Sequence, residues 1–444
     1  MKHLAKTFVV SAALFASTLL PVHAELDVGG LKAAIEASVE ADYPRLDALY
    51  KDLHAHPELA FEEVKTAAKL AAEMRSLGFE VTEKVGKTGL VAIFGNGDGP
   101  VIMVRTELDA LPMEEKTGLA YASRDKTIWN GVETFVAHSC GHDIHMTSWV
   151  GTAKTLVGLK DRWQGTLMFI AQPAEETVSG ARAMLADGLF TRFRKPDYGF
   201  ALHDGPIPYG YVLYRVGVGS SNSDSLSIKF RGRGGHGATP QATIDPVMIA
   251  ARFIVDVQSV ISREKDPTEF GVVSIGAIHA GTAENIIPDD ALVLGTIRTF
   301  KPGVRAKMLA GIERTANAAT AMSDAPAPEI RITEGAKAIM NDPAVVATAE
   351  KVLKAAFGDK LRISPPGTPS EDFSEFGNAG VPSMMFNIGV YEPERWAAAN
   401  NGGLPLPANH SPLFAPVPKP TIETGIKAMT LAVLSAFDQH ARGK

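Results

Sequence analysis

Short β-rich runs alternate with long helical stretches along this chain of 444 residues, and polar residues gather just past the strand ends. Val91-Ala92-Ile93-Phe94, Val101-Ile102-Met103-Val104, Thr166 to Ile170, Tyr198 to Leu202 and Pro382 to Asn387 read as strands. The glycine-rich stretch between the first two reads as a hairpin connection. From Leu31 to Leu77, apolar residues such as Leu46, Leu49, Leu53, Ala67, Leu70 and Met74 recur at three- and four-residue spacing, which predicts helix closed by Gly78. Trp149, Ala153, Leu156 and Leu159 predict another helix, capped by Asp143. Such alternation predicts an α/β sheet with helices on both faces. Arg105 to Asp109 follows one strand, Glu175-Glu176 a second, and His203 ends a third. Open α/β sheets bind ligands beyond the carboxyl ends of their strands, so these clusters predict one shared site.

Between about Ser220 and Thr333 the texture changes. Leu226 to Phe230 alternates as a half-exposed strand, a glycine-rich turn follows, and a helix from about Asp245 to Ser262 comes next. Two more strands, a helix near Arg305 to Met322 and the strand Glu329 to Thr333 complete a β-α-β-β-α-β unit of ferredoxin-like type. The expected organisation is therefore discontinuous: a first part at 25–219, an inserted domain at 220–333 and a second part at 334–444.

The first residues differ again. Lys2 and Lys6 precede the apolar run Thr7 to Leu20, and Val22-His23-Ala24 offers small residues for cleavage, so 1–24 reads as a secretory signal peptide cleaved near Ala24. The apolar run is shorter than the roughly 20 residues a membrane span needs. The chain's one cysteine lies far from the cleavage position, so no lipid anchor is expected there. These features predict a soluble protein of the periplasm or medium, without a membrane anchor. A net charge of −6 and the lack of a basic run argue against nucleic acid as a partner.

That one cysteine sits in His138-Ser139-Cys140-Gly141-His142-Asp143. It excludes an internal disulfide. Thiolate, imidazole and the downstream carboxylates Glu175 and Glu176 are ligand types for a borderline-soft divalent cation. The competing reading makes Cys140 a small buried hydrophobe with incidental histidines beside it.

Eight segments, taken together, resemble signatures of the M20 metallopeptidase family. They are Arg105 to Pro112, His138 to Asp143, Gln172 to Glu176, Leu202-His203, Gly234 to Pro240, Asn285 to Pro288, Ser370 to Phe373 and Asn409 to Pro412, in the family's order. The branch they resemble is that of the N-acyl-amino-acid amidohydrolases, which includes hippurate and auxin-conjugate hydrolases. Ser139 departs from the usual alanine and Gln241 from a common histidine, neither at an expected ligand. The resemblance implies an α/β metallohydrolase catalytic domain with an inserted lid and dimerisation domain, and a homodimer. It implies one or two divalent cations (zinc, manganese, cobalt or nickel) held by Cys140, His142, Glu176, His203 and His410, with Glu175 as general base. It also implies substrate contacts from His236 and Asn285 on the lid.

By themselves, a loop histidine such as His236 is usually just solvated, and Arg298 reads equally as a grip for a substrate carboxylate or as a surface arginine. Asp109 reads as an orienter of a ligand rather than a ligand. His138 and His145 read as supporting or helix-surface histidines. The expected activity is hydrolysis of the amide bond of small N-acyl amino acids. The alternatives are a metallo-dipeptidase or carboxypeptidase of the same family, a cysteine hydrolase using Cys140, and a periplasmic solute-binding protein.

Overall fold

The computed structural model describes residues 26–443; the expected signal peptide lies outside them. The helical pattern from Leu31 to Leu77 is two helices, α1 (Val28–Ala55) and α2 (Val64–Ser76). Pro57 accounts for the break, because the residue before a proline is pushed out of the helical region, and His56 sits at φ −129°. Gly78 follows α2 at φ 88° with its N–H donating to Arg75 O, a left-handed helix ending.

In chain order there follow β1 (Glu80–Val85), β2 (Gly89–Asn96), β3 (Val101–Glu107), α3 (His142–Gly158), β4 (Gly165–Gln172), β5 (Tyr198–Pro208) and β6 (Val212–Tyr214). The insertion carries β7 (Asn222–Arg231), α4 (Pro246–Asp256), β8 (Gly271–Ala280), β9 (Asp290–Thr299), α5 (Pro302–Ala321) and β10 (Glu329–Glu334). The chain then returns through α6 (Pro343–Phe357), β11 (Leu361–Ile363), β12 (Ser383–Tyr391) and α7 (Pro418–Arg442).

The main sheet has eight strands in the order β1-β2-β4-β3-β5-β12-β6-β11. Its centre, β4-β3-β5-β12, is parallel. The hairpin expected between β2 and β3 does not form: β4 lies between them, antiparallel to β2 and parallel to β3. Pro100 lacks an N–H, but its carbonyl accepts from Thr166 N at 2.9 Å, which ties the start of β3 to β4 instead. Every residue of β3 is buried, as suits a strand covered on both faces. His203 lies within β5 rather than at its end, since that strand continues to Pro208.

α3 packs against α1 and α7 and is buried along most of its length. Its hydroxyls are accommodated by back-bonding within the helix: Thr147, Thr152 and Thr155 donate to Asp143 O, Ser148 O and Gly151 O at 2.7–2.8 Å.

The inserted sheet runs β8-β9-β7-β10, antiparallel throughout, with α4 and α5 packed on it. This is the ferredoxin-like arrangement, and it buries its own core of Leu226, Ile228, Phe230, Phe253, Ile297 and Ile312. The main core, around Phe169, Phe200, Trp149 and Leu431, is separate.

An insertion core separate from the apolar clusters of the main sheet predicts two separable transitions. All four tryptophans lie outside the insertion. Phe253→Ala removes a fully buried ring from the insertion core and should cost about 3–5 kcal/mol. In a denaturant titration, far-ultraviolet circular dichroism should then change before tryptophan fluorescence does. Coincident curves at a common, lowered midpoint would mean the two cores unfold as one.

Candidate metal centre

The site assembles beyond the carboxyl ends of β3 and β4, beside β5 and at the start of α3. Gly141 occupies the N-cap position of α3 at φ 86°, a left-handed conformation that favours glycine. A Cβ there would also overlap the Asp204 carboxylate. Asp143 is therefore not the cap. It lies in the first turn, where Oδ1 accepts from Ile144 N and Oδ2 meets His54 Nδ1 at 2.6 Å.

This turn brings Cys140 and His142 into one cluster. The ligand atoms of Cys140, His142 and His203 lie within 4.8 Å of one another, and so do those of Cys140, Glu176 and His410. Cys140 belongs to both groups. The His142 and His203 rings are fixed from behind. His142 Nδ1 lies 2.7 Å from Asp109 O and His203 Nδ1 lies 2.6 Å from Asp204 O, which turns both Nε2 atoms toward the cluster. His203 Nε2 is 3.5 Å from Cys140 Sγ. His410, left-handed at φ 67°, donates its N–H to Ser139 O at 2.7 Å and places Nε2 at 3.2 Å from Glu176 Oε2.

Asp109 does not enter either group. Its two carboxylate oxygens accept the backbone N–H groups of Glu175 and Glu176 at 3.0 and 2.9 Å. The carboxylate fixes the backbone of the glutamate pair while its carbonyl fixes His142. Glu175 completes a third group with His142 and Glu176, its Oε2 at 3.7 Å from His142 Nε2.

Burial pushes the Cys140 thiol well up, with Glu176 adding to the rise and His142 opposing it. Glu175 is raised well above the usual carboxylate range by burial and by its neighbours Glu371 and Glu176. The Glu176 side chain is largely covered too, yet the hydrogen bond from His410 and the nearby His142 hold it below that range. His142 Nε2 and Glu176 Oε1 are buried without a hydrogen-bond partner among the described residues, each an uncompensated cost of about 1–3 kcal/mol. A sulfur, three imidazoles and a carboxylate, with orphaned donor atoms facing one another, fit a borderline-soft divalent cation. Its charge would also offset the burial that disfavours a thiolate.

Other expected residues fall elsewhere. His138 and His145 are both buried, so neither is a surface histidine. His145 reaches Glu107 through Nδ1 at 3.0 Å and accepts the Asp204 N–H at Nε2. His138 has no hydrogen-bond partner at either ring nitrogen among the described residues, and burial lowers its pKa to about 4. His236 and Asn285 sit exposed on the insertion, away from the cavity wall; His236 Nδ1 accepts the Ala238 N–H and Asn285 O accepts the Gly237 N–H. Arg298 does line the cavity, which has a volume of about 880 Å³ and opens onto Cys140, Glu175, Glu176, His203 and His410.

Three supports had no assigned role in the sequence reading. Asn409 Nδ2 bridges Cys140 O and Asp204 Oδ1, both at 2.9 Å. His54 is buried between Asp143 and Glu115, and these carboxylates raise its pKa to about 10 against the opposing effect of burial. Below the glutamate pair, the buried Arg105 guanidinium pairs with Glu107, Glu371 and Asp372 and donates to Gln172. Asn409, Arg105, Gln172, Glu371 and Asp372 all lie inside the signature segments; what the sequence lacked was the tertiary contact that gives them a purpose.

The chain matches the profile of Peptidase family M20/M25/M40 over residues 103–402. It is 39% identical over 331 residues to the hippurate hydrolase of Campylobacter jejuni, covering 73% of this chain and 82% of that one. It is 34% identical over 346 residues to thermostable carboxypeptidase 2 of Saccharolobus solfataricus, covering 77% and 84%. The crystal structure of a Bacillus subtilis dinuclear metal binding peptidase from the M20 family superposes with a TM-score of 0.73 at 28% identity, covering 90% of this chain and 99% of that one.

Asp109→Ala should leave two adjacent backbone N–H groups without their acceptor. Thermal denaturation should show a loss of about 1–3 kcal/mol, and elemental analysis should show reduced divalent metal. Unchanged stability and metal content would mean that the glutamate pair is held in place without Asp109.

Proposed function

We infer the activity of this chain from its membership: it belongs to peptidase family M20/M25/M40. It is a metal-dependent amidohydrolase, and we propose that its substrates are small N-acyl amino acids of the hippurate type. The observation that carries this reading is the sharing of Cys140 between two ligand groups, with the basic carboxylate of Glu175 beside them.

Cys140, His142 and His203 would hold one divalent cation; Cys140, Glu176 and His410 would hold a second. Bound there, such ions polarise an amide carbonyl and make water acidic enough to lose a proton near neutral pH. The chain's own residues supply the rest. Glu175 is kept basic by burial and by two neighbouring carboxylates, which suits it to take a proton from water and return it to the leaving amine. Asp109 holds Glu175 and Glu176 in register so that one acts as base and the other as ligand. Arg298, fixed by Ser370 Oγ at 2.7 Å, offers a planar fork to the substrate carboxylate. His236 and Asn285 lie on the insertion, so their use as substrate contacts requires the two domains to close.

The carboxypeptidase relative favours peptides as a second reading within the same chemistry. A cysteine hydrolase would need a thiolate nucleophile, whereas burial raises the Cys140 thiol. A solute-binding protein would have no use for a basic carboxylate beside a ligand cluster. We propose export by the 1–24 segment, on its signal-peptide layout. We also propose a homodimer, supported by β8, which among the described residues pairs with β9 alone and exposes Ile278.

Glu175→Gln should retain bound metal and lose about 10²-fold or more in kcat, whereas Glu176→Gln should lose metal. Elemental analysis paired with hippurate kinetics separates the two; identical behaviour would show that the division of roles is wrong. Hippurate should also be cleaved faster than both its glycinamide analogue and the matching unblocked dipeptide. Faster dipeptide cleavage would favour the peptidase reading.

A further inference from the structure

We propose that Arg215 and Arg298 form a two-arginine anion site in the cavity wall, and that the preferred substrates are N-acyl amino acids carrying a second carboxylate. This rests on the amidohydrolase reading and narrows it to a substrate class.

The two arginines are the cationic side chains among the lysines and arginines that line the cavity, and they come from different domains. Arg215 directly follows β6 of the catalytic part, and Arg298 is the penultimate residue of β9 on the insertion. Both are held by neutral oxygens: Arg215 Nη1 donates to Ser364 O at 2.9 Å and Arg298 Nη1 to Ser370 Oγ at 2.7 Å. Neither has an ion-pair partner among the described residues. Asp224, the acidic group whose charge reaches Arg298, is already paired with Arg305 at 2.7 Å. Arg215 Nε is buried with no hydrogen-bond partner among the described residues.

The acidic side chains on the same wall are engaged elsewhere. Glu371 is paired with Arg105 at 2.7 Å, Asp204 accepts from Asn409, Glu176 meets His410, and Glu175 lies beside His142 with Oε2 at 3.7 Å from Nε2. Half-buried guanidiniums without a counter-charge are unfavourable, and their planar forks match carboxylates. The α-carboxylate of an N-acyl amino acid satisfies one of them. A second carboxylate satisfies the other, placed either on the amino-acid side chain or at the far end of a dicarboxylic acyl group. The cavity of about 880 Å³ has room for both kinds.

The alternative is that Arg215 merely tethers the 364–370 loop through Ser364. Isosteric substrate pairs separate the two. Binding is measured by calorimetry in the metal-loaded Glu175→Gln protein, so that no turnover is needed. The pairs are N-acetylglutamate against N-acetylglutamine, and N-succinylglycine against its succinamide. In one pair the charged member should bind roughly tenfold or more tighter. That pair identifies where the second carboxylate sits. Arg215→Gln should bring the ratio toward one without weakening the neutral member, and Arg215→Lys should keep part of the preference. A ratio near one in both pairs, or a preference unchanged in Arg215→Gln, would overturn the proposal. Failure of the wild type to cleave any N-acyl amino acid would overturn the amidohydrolase reading instead, and these binding ratios would still judge the anion site.

Discussion

A buried thiol ringed by carboxylates and imidazoles is stable as a thiolate only beside positive charge, and the catalytic half of this molecule is arranged around that constraint. Four separate parts of the chain are brought to Cys140: the Asp109 segment after β3, the glutamate pair after β4, His203 within β5, and His410 far along the sequence. Each is fixed by contacts that do not themselves touch the cluster. Asp109 receives two consecutive backbone N–H groups, Asp204 and Asp109 carbonyls orient two imidazoles, and Asn409 ties the Cys140 carbonyl to Asp204. Fixing ring tautomers and carboxylate positions in advance reduces the ordering a bound cation must impose.

Beneath this layer lies a second set of charges. Arg105 is wholly buried and faces Glu107, Glu371 and Asp372, while His54 stands between Asp143 and Glu115. Buried ion pairs contribute little net stability, but removing one partner is costly. Their arrangement here is better understood as positional. The Arg105 cluster joins the end of β3 to the Glu371-Asp372 segment, and Asp372 reaches on to Gln172 and the Ala181 N–H beyond β4. The same network sets Glu371 close enough to raise the basicity of Glu175.

Much of this was legible in the sequence because local pattern and chemistry coincide. Strand cores such as Val101 to Val104 and Thr166 to Ile170 declare themselves by composition, and the β-α-β-β-α-β insertion by its changed alternation. Cys140, His142, Glu175, Glu176, His203 and His410 stood out through residue type and motif, and the structure brings all six together. What sequence could not supply is tertiary. The hairpin expected between β2 and β3 is replaced by insertion of β4 between them, a choice made by strand pairing between segments distant in the chain, such as Val101 with Thr166 and Leu90 with Ala171. Asp143 has the composition of a helix cap, yet Gly141 takes that position and Asp143 turns to His54, which is distant in the chain. His145 reads as either a supporting or a helix-surface histidine, and the burial of α3 on nearly every side leaves the supporting role, against Glu107 and Asp204. Arg215 carries no local signal; its significance comes only from the cavity it shares with Arg298.

X-ray absorption at the metal edge of the protein as purified reads the ligand atoms themselves. Two divalent cations per chain are expected, with a sulfur shell, at about 2.3 Å if the metal is zinc, that disappears in Cys140→Ser. A loaded, active enzyme whose metal shell contains only nitrogen and oxygen would contradict this.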